Sequence, residues 1–176
     1  MYYYFASTLP MINWGDPLPF PVEEFADNCR RLLSPHDASD AMIALGLGKG
    51  EVSNGLLKRW QRFERALKNE IAAFRAVQRQ QNALTVVHGE RDYDMDIAEG
   101  FGRAVKAGQP LEAQRILLKI QWDRLDEWSL NKDFSIEFIL TYAIKLKIMA
   151  RLHAFRDEEG GKRLEEIMMK TEKNDL

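Results

Sequence analysis

The most apolar stretch of the chain, residues 134–155, predicts a buried helix. Its sequence is FSIEFILTYAIKLKIMARLHAF. A helix turns by about 100° per residue, and at that spacing the polar side chains form one continuous face while apolar side chains cover the rest. The polar positions are Glu137, Thr141, Lys145, Lys147 and Arg151. A membrane span of about 20 residues would lack such a charged face, so we expect this helix to lie against protein and not against lipid.

A second periodic pattern, between about residues 53 and 81, predicts the longest helix. Its apolar side chains fall within about 60° of one line, as in helices that pack in coiled-coil fashion. These seam residues are Leu56, Trp60, Phe63, Leu67, Ile71, Phe74 and Val77. We therefore expect the seam to be buried along one side of a continuous helix.

The opposite side of that helix is basic. Lys58, Arg62 and Arg65, here called the basic face, point away from the seam. One interpretation is a solvated surface, because the polar side of an amphipathic helix usually faces water. The other is a docking surface for an acidic partner. Nucleic acid is disfavoured as that partner, because no exposed aromatic side chains are interleaved with these cations.

Shorter helices are predicted before and after this one. They cover about residues 21–34, 36–47, 95–107 and 108–128. Glycines at 46, 48 and 50 should end the second of these helices. Gly100 and Gly102 should weaken the third, because glycine is a poor helix former.

The end of the chain completes the predicted architecture. Gly160–Gly161 should separate the helix that starts near residue 134 from a short last helix through Met169, after which the chain should fray. No alternating pattern typical of strands is present. The sequence therefore predicts an all-α fold, an elongated antiparallel helical bundle. It should form a single domain over residues 1–176, with a candidate subdivision near residues 82–93.

The first 21 residues are rich in proline and aromatic side chains. Prolines at 10, 17, 19 and 21 remove backbone donors and fix φ, so we predict a packed extended segment and not a helix. The aromatic residues are Tyr2, Tyr3, Tyr4, Phe5, Trp14 and Phe20. So many aromatic side chains would form a large exposed apolar patch unless other groups covered them. Either they pack on the protein's own helices, or some of them, with Tyr2, Tyr3, Tyr4 and Trp14 as candidates, contact a partner.

Composition limits the functional classes. The chain has 176 residues, of which 45% are hydrophobic and 30% charged, as expected of a globular protein with a core. A net charge of −2 gives no global argument for binding nucleic acid or acidic lipid, so any electrostatic function must be local. The single cysteine, Cys29, cannot form an intrachain disulfide, and the N-terminus does not resemble a signal peptide. We expect a cytoplasmic protein.

Two short motifs resemble ligand sites but depart from the required spacing. GLGKGE at residues 46–51 lacks the spacing of a phosphate loop, so we predict a helix C-cap followed by a turn. Asp92, Asp94 and Asp96 alternate like the start of a calcium loop. The sixth position of that loop is Ile97 where glycine is required, and the twelfth is Arg103 where glutamate is required. Calcium is therefore disfavoured.

The nucleophilic and metal-binding residue types are scattered. His36, His88 and His153 have no close Cys or His neighbour in the sequence, so zinc-site spacing is missing. His153 lies on the buried side of its helix, which is typical of a hydrogen-bonded core histidine. Cys29 lies on an apolar face and no Gly-x-Ser-x-Gly turn is present, so no nucleophile–base pair is predicted. The sequence thus predicts a protein that is not an enzyme and has no cofactor or metal.

Segments from nearly the whole chain carry a family resemblance. They are YYYFASTLPMINWGDPLPFPVEEFADNCRRLLSPHD, WQRFERALKNEIAAFRA, PLEAQRILLKIQWDRLDEW, FSIEFILTYAIKLKIMARLHAF and EGGKRLEEI. These helix-core patterns resemble a bacterial family that is typically encoded in V-type ATPase operons and is treated as a counterpart of the C-type subunit, also called the d-type subunit. The resemblance implies an all-helical protein that seats the central stalk on the membrane rotor ring and transmits torque without chemistry.

Two hypotheses for the function follow. The first is a non-enzymatic helical subunit or assembly factor of a bacterial V-type rotary ATPase. Its partners would be the central stalk and the rotor ring, without nucleic acid and without insertion into the membrane. It would be cytoplasmic and peripheral to the inner membrane through that complex. The second is an unrelated helical adaptor or regulator that binds an acidic protein through the basic face at Lys58, Arg62 and Arg65.

Overall fold

The computed structural model describes residues 2–82, 87, 95–130 and 132–174, and these residues form seven helices and no strand. The helices are α1 (Tyr2–Thr8), α2 (Val22–Leu32), α3 (Pro35–Leu45), α4 (Gly55–Gln78), α5 (Met95–Lys106), α6 (Pro110–Ser129) and α7 (Ile136–Asn174). The predicted all-α fold is confirmed. The candidate subdivision near residues 82–93 lies almost wholly outside the described residues.

Capping residues explain where two of the helices start and where one ends. The side-chain oxygen of Asn54 accepts a hydrogen bond of 2.9 Å from the N–H of Leu56 at the start of α4. The Ser34 hydroxyl accepts one of 3.2 Å from the N–H of Asp37 at the start of α3. Both satisfy donors that a helix leaves unpaired at its first turn. Helix α3 ends at Gly46, whose φ of +79° is left-handed, so the C-cap predicted within GLGKGE is confirmed.

Helices α5 and α6 run in opposite directions. Asp96 near the start of α5 forms an ion pair of 2.7 Å with Arg124 near the end of α6, and Gly100 farther along α5 faces Ile120. Helices α6 and α7 are joined in the same antiparallel manner. The pairs that join them are Asp126–Lys145 and Gln114–Arg151. Helix α7 has 39 residues, so it is about 58 Å long at about 1.5 Å per residue.

The core is centred on the first half of α7, which contacts α1, α2, α3, α4 and α6. Its fully buried residues include Ile139, Leu140, Ala143, Ile144 and Leu146. The buried helix predicted at residues 134–155 is therefore confirmed. Its predicted polar face is only partly in water, because Thr141 is buried beside the N-terminal segment and Lys145 is paired with Asp126 of α6. None of the described helices combines the length and the hydropathy that a membrane span requires.

The N-terminal segment differs from its prediction. The expected extended conformation is wrong for Tyr2–Thr8, which forms α1 and buries Phe5. These residues precede the first proline, so their backbone donors are free to form a helix. Residues 9–21 are irregular and are held against α7. There the N–H of Leu18 donates a hydrogen bond of 3.2 Å to Nε2 of His153, which confirms the prediction of a hydrogen-bonded histidine.

The predicted break in the helix near the C-terminus is also wrong. Helix α7 continues through Gly160–Gly161 to Asn174 and has no break or fraying before that residue. A glycine inside a helix is unfavourable by only about 1 kcal/mol, and the flanking sequence is dominated by Glu, Lys, Arg, Leu and Met, which favour helices.

The predicted seam of α4 is confirmed along its first half only. Leu56, Trp60, Phe63 and Leu67 are buried. Farther along, Ile71 and Phe74 are half-buried and Val77 is 62% exposed, while Ala73 and Ala76 are buried instead. A straight helix drifts by about 20° per heptad relative to a strict seven-residue repeat. The last turns of α4 therefore present a different side to their neighbours.

Candidate functional site

The basic face is open to solvent. Lys58, Arg62 and Arg65 are all exposed on α4. Trp60 and Phe63, on other sides of the same turns, are buried. Because the packing of this part of α4 is supplied by its seam, the three cations are available for contact with another molecule.

A cleft beside this face contains two arginines, Arg59 and Arg124, that sequence reasoning missed. It has a volume of about 280 Å³, lies between α4, α5 and α6, and is lined in part by Arg59, Arg62 and Arg124. The Arg59 guanidinium lies over the Trp128 ring, with Cζ 4.2 Å from the ring centroid. Arg124 is paired with Asp96, so the net positive charge of the cleft comes from Arg59 and Arg62. The available signal was spacing, since Arg59 is three residues before Arg62 and thus its neighbour on a helix.

Two of the four candidate aromatic residues contact other parts of the same protein. The Tyr2 hydroxyl donates a hydrogen bond of 2.8 Å to the Asp37 carboxylate, and this bond raises the pKa of Tyr2. Trp14 packs edge-on against Trp122, with 5.6 Å between ring centroids. For this pair the structure favours the interpretation that the aromatic side chains pack internally.

The other two aromatic candidates face outward. Tyr3 is 66% exposed and Tyr4 is 68% exposed. The Tyr3 ring lies 4.6 Å from that of Phe134, which is itself partly exposed just before α7. Helix α1, which carries both tyrosines, packs on α7, whereas the basic face lies on α4. The two candidate partner surfaces therefore belong to different elements.

One nucleophile–base contact is present, which corrects the prediction that none could be built. Oγ of Ser53 is 2.8 Å from Nε2 of His36, and Oδ1 of Asp37 is 3.6 Å from Nδ1 of the same ring. Burial would raise the pKa of Asp37, but hydrogen bonds, first from Ser34 and then from Tyr2, outweigh burial and lower it. Serine catalysis requires a site that excludes water and stabilises an oxyanion. Because Ser53 and His36 are both exposed, we interpret the contact as a link between α3 and the start of α4.

The metal-binding residue types do not converge in the part of the chain that is described. No group of three or more His, Cys, Asp or Glu side chains there is arranged to hold a metal ion. Of the calcium-like motif, Asp96 is paired with Arg124. Asp92 and Asp94, and also His88, lie outside the described residues.

Two titratable groups are buried, and burial raises the pKa of both. Cys29 is completely buried, and loss of hydration raises its pKa to about 12 against the smaller opposing effect of the Arg30 charge. Asp40 is also buried, its Oδ2 has no hydrogen-bond partner among the described residues, and burial raises its pKa. In both cases burial opposes the charged form that a nucleophile or a general base would need.

Comparison with known proteins places the chain in a family. No match was found among curated proteins or among solved structures. A family model described as "Protein of unknown function (DUF2764)" matches residues 48–175, which is well over half of the chain. The matched range contains α4, α5, α6 and α7, and with them the basic face and the arginine cleft. The chain therefore belongs to the DUF2764 family.

Proposed function

We propose that this protein is a non-enzymatic helical subunit or assembly factor of a bacterial V-type rotary ATPase, docked on an acidic surface of that complex. The proposal takes its biological setting from the resemblance to the family that is encoded in V-type ATPase operons. It takes its docking surface from α4. In this role the protein is cytoplasmic and reaches the inner membrane only through the complex.

The observation that carries the proposal is the exposed cationic surface of α4. Lys58, Arg62 and Arg65 are exposed, and Arg59 and Arg62 continue the charge into the adjacent cleft. This local charge stands out because the whole chain has a net charge of −2. Clustered exposed cations accelerate association with an acidic surface and add specificity.

The shape of the molecule is compatible with a mechanical role. Helix α7 is a single helix of 39 residues whose first half lies in the core. A long helix anchored in a packed core forms a stiff element. A protein that seats a central stalk on a rotor ring needs such an element, which supports the proposal.

The proposal is tested by affinity purification of the tagged protein from its native cell in mild detergent. We expect catalytic and rotor-ring proteins of the ATPase to be recovered together. In a salt series, Arg62→Glu with Arg65→Glu should reduce that recovery, because exposed ion pairs steer the encounter. Arg30→Glu with Arg31→Glu, an exposed pair on α2, makes the same change in net charge and should not reduce it.

The outcomes separate the two candidate functions. If Arg62→Glu with Arg65→Glu does not change the recovery of ATPase proteins, the docking surface is at Tyr3 and Tyr4 and not on the basic face. Salt-sensitive recovery of an acidic protein outside the ATPase would favour the second candidate, a helical adaptor that uses the same basic face. Absence of ATPase proteins under all conditions would refute the first candidate.

A further inference from the structure

A larger cleft lies on another side of α4, where α4, α6 and α7 meet. It has a volume of about 410 Å³. Its apolar floor is formed by the half-buried Ile71 of α4 and Leu117 of α6, together with Leu67 and Leu118, which are buried. We call it the α4–α6 groove. On α4 it extends from Glu64 to Arg75, which at about 1.5 Å per residue is about 16 Å, or three helical turns.

The rim of the α4–α6 groove is cationic. Lys68 and Arg75 of α4 and Arg151 of α7 line it, against a single acid, Glu64. All three cations are exposed. Arg151 donates a hydrogen bond of 3.2 Å to the side-chain oxygen of Gln114. Within the described part of the chain, none of the three cations forms an ion pair with a carboxylate.

We propose that the α4–α6 groove binds an acidic amphipathic helix of a partner protein. Aliphatic side chains at i, i+3 or i+4, and i+7 of that helix would cover the floor, as in other complexes where a helix lies in a groove. Its carboxylates would pair with Lys68, Arg75 and Arg151, whose charges have no counterpart within the groove except Glu64. The length of the groove fits about three turns of helix.

The floor distinguishes this partner from other anions. Leu67, Ile71, Leu117 and Leu118 offer no aromatic ring on which a base could stack, so a nucleic acid would leave the floor unused. A free phosphate would likewise meet the cations without covering apolar surface. A helix that carries both aliphatic and acidic side chains complements both parts of the groove. The α4–α6 groove is a different surface from the basic face, and a partner bound there does not depend on the ATPase proposal.

The test uses the full chain and a defined probe. The probe is a fluorescent synthetic peptide with leucine on one face and glutamate elsewhere, cross-linked between side chains so that it is helical in water, and the control probe has lysine in place of each glutamate. We expect saturable, salt-sensitive anisotropy changes with the glutamate probe only. Lys68→Glu with Arg75→Glu should weaken its binding by about tenfold or more. Arg30→Glu with Arg31→Glu, the same charge change on α2, should alter it by less than about twofold.

Several results would overturn the proposal. One is equal binding of the lysine probe, and another is no saturable binding at about 1 mM glutamate probe. Equal weakening by the α2 reversal would indicate unspecific attraction. If Arg62→Glu with Arg65→Glu abolished binding while Lys68→Glu with Arg75→Glu did not, the probe would be on the basic face.

Crosslinking gives an independent readout of position. A carbodiimide joins a carboxylate to a lysine amine only when the two are in contact. With the unmodified protein we expect the glutamate probe to be joined to Lys68 in the α4–α6 groove. Coupling to Lys58 on the basic face without coupling to Lys68, mapped by mass spectrometry, would reject the groove as the binding site.

Discussion

Gly100 of α5 lies so close to Ile120 of α6 that a Cβ on Gly100 would be 2.2 Å from Cδ1 and 2.7 Å from Cγ1 of the isoleucine. Ile120 is buried, so its side chain has little room to move away. Gly102, two residues later on the same helix, would place its Cβ in open space. The close contact between α5 and α6 therefore depends on one of these two glycines and not on the other.

Alanine at the two positions should change stability in opposite directions. Gly100→Ala should lower the free energy of unfolding by about 1 to 3 kcal/mol, because overpacking outweighs the better helix propensity of alanine. Gly102→Ala should raise it by about 0.5 to 1 kcal/mol through propensity alone. Urea unfolding followed by tryptophan fluorescence measures both values. Equal effects of the two substitutions would mean that α5 and α6 are farther apart than described.

These glycines also mark the limit of what the sequence could predict about the fold. Periodicity located α2 to α6 and the first half of α7, and it located the buried side of the first halves of α4 and α7, because helix formation and amphipathicity depend on residues within a few turns of each other. It treated Gly100 only as a weak helix former, because the reason for that glycine is on another helix, at Ile120. The assignment of Val77 to the buried seam was wrong for a similar reason, because spacing within one helix does not show which neighbouring helix covers it.

One part of the candidate site could likewise be predicted from the sequence, and another part could not. The exposure of Lys58, Arg62 and Arg65 could be predicted, because it follows from their position opposite the seam. The contact of Arg59 with Trp128 could not, because it joins α4 to α6. Ser53 and His36 likewise come together only when the loop after α3 folds back.

The buried part of the α4 seam is tested by Phe63→Ala. Phe63 is 6% exposed and packs edge-on against Trp128, with 5.9 Å between ring centroids. Its truncation should lower the free energy of unfolding by about 3 to 5 kcal/mol, the usual range for a buried aromatic residue. Val77→Ala is the matched control on the exposed end of the seam and should change it by less than about 0.5 kcal/mol. Thermal melting that is identical for Phe63→Ala and the unmodified protein would contradict the described packing.

Cys29 should be unreactive in the folded protein. It is completely buried, and burial raises the pKa of its thiol to about 12, so at neutral pH almost no thiolate is present to react. Because it is the single cysteine, its modification by an aromatic disulfide reagent can be followed without interference. We expect slow modification in buffer that is limited by opening of the fold, and rapid modification of one thiol per chain in concentrated urea. Complete modification within seconds in buffer would show that the packing of α2 on α3 and α7 does not shield the thiol.

Tyr142 should make the protein sensitive to alkali. The residue is 4% exposed, and its hydroxyl donates a hydrogen bond of 3.1 Å to the carbonyl oxygen of Pro10. Burial raises its pKa to about 12, from an ordinary value of about 10. The folded state thus favours the neutral phenol. The stability that this group contributes is fully present below about pH 10 and is lost as the pH rises toward about 12.

The contribution of Tyr142 can be isolated with Tyr142→Phe, since other tyrosines also titrate in this range. At about pH 8 the variant should be less stable by about 1 kcal/mol, because the carbonyl of Pro10 loses its hydrogen bond. Above about pH 10 the unmodified protein should lose stability faster than the variant, because only its residue 142 must ionise on unfolding. Urea unfolding at about pH 8 and about pH 11 measures the two differences. A stability difference that is the same at both pH values would show that the Tyr142 hydroxyl titrates as it does in water, and that the N-terminal segment does not cover it.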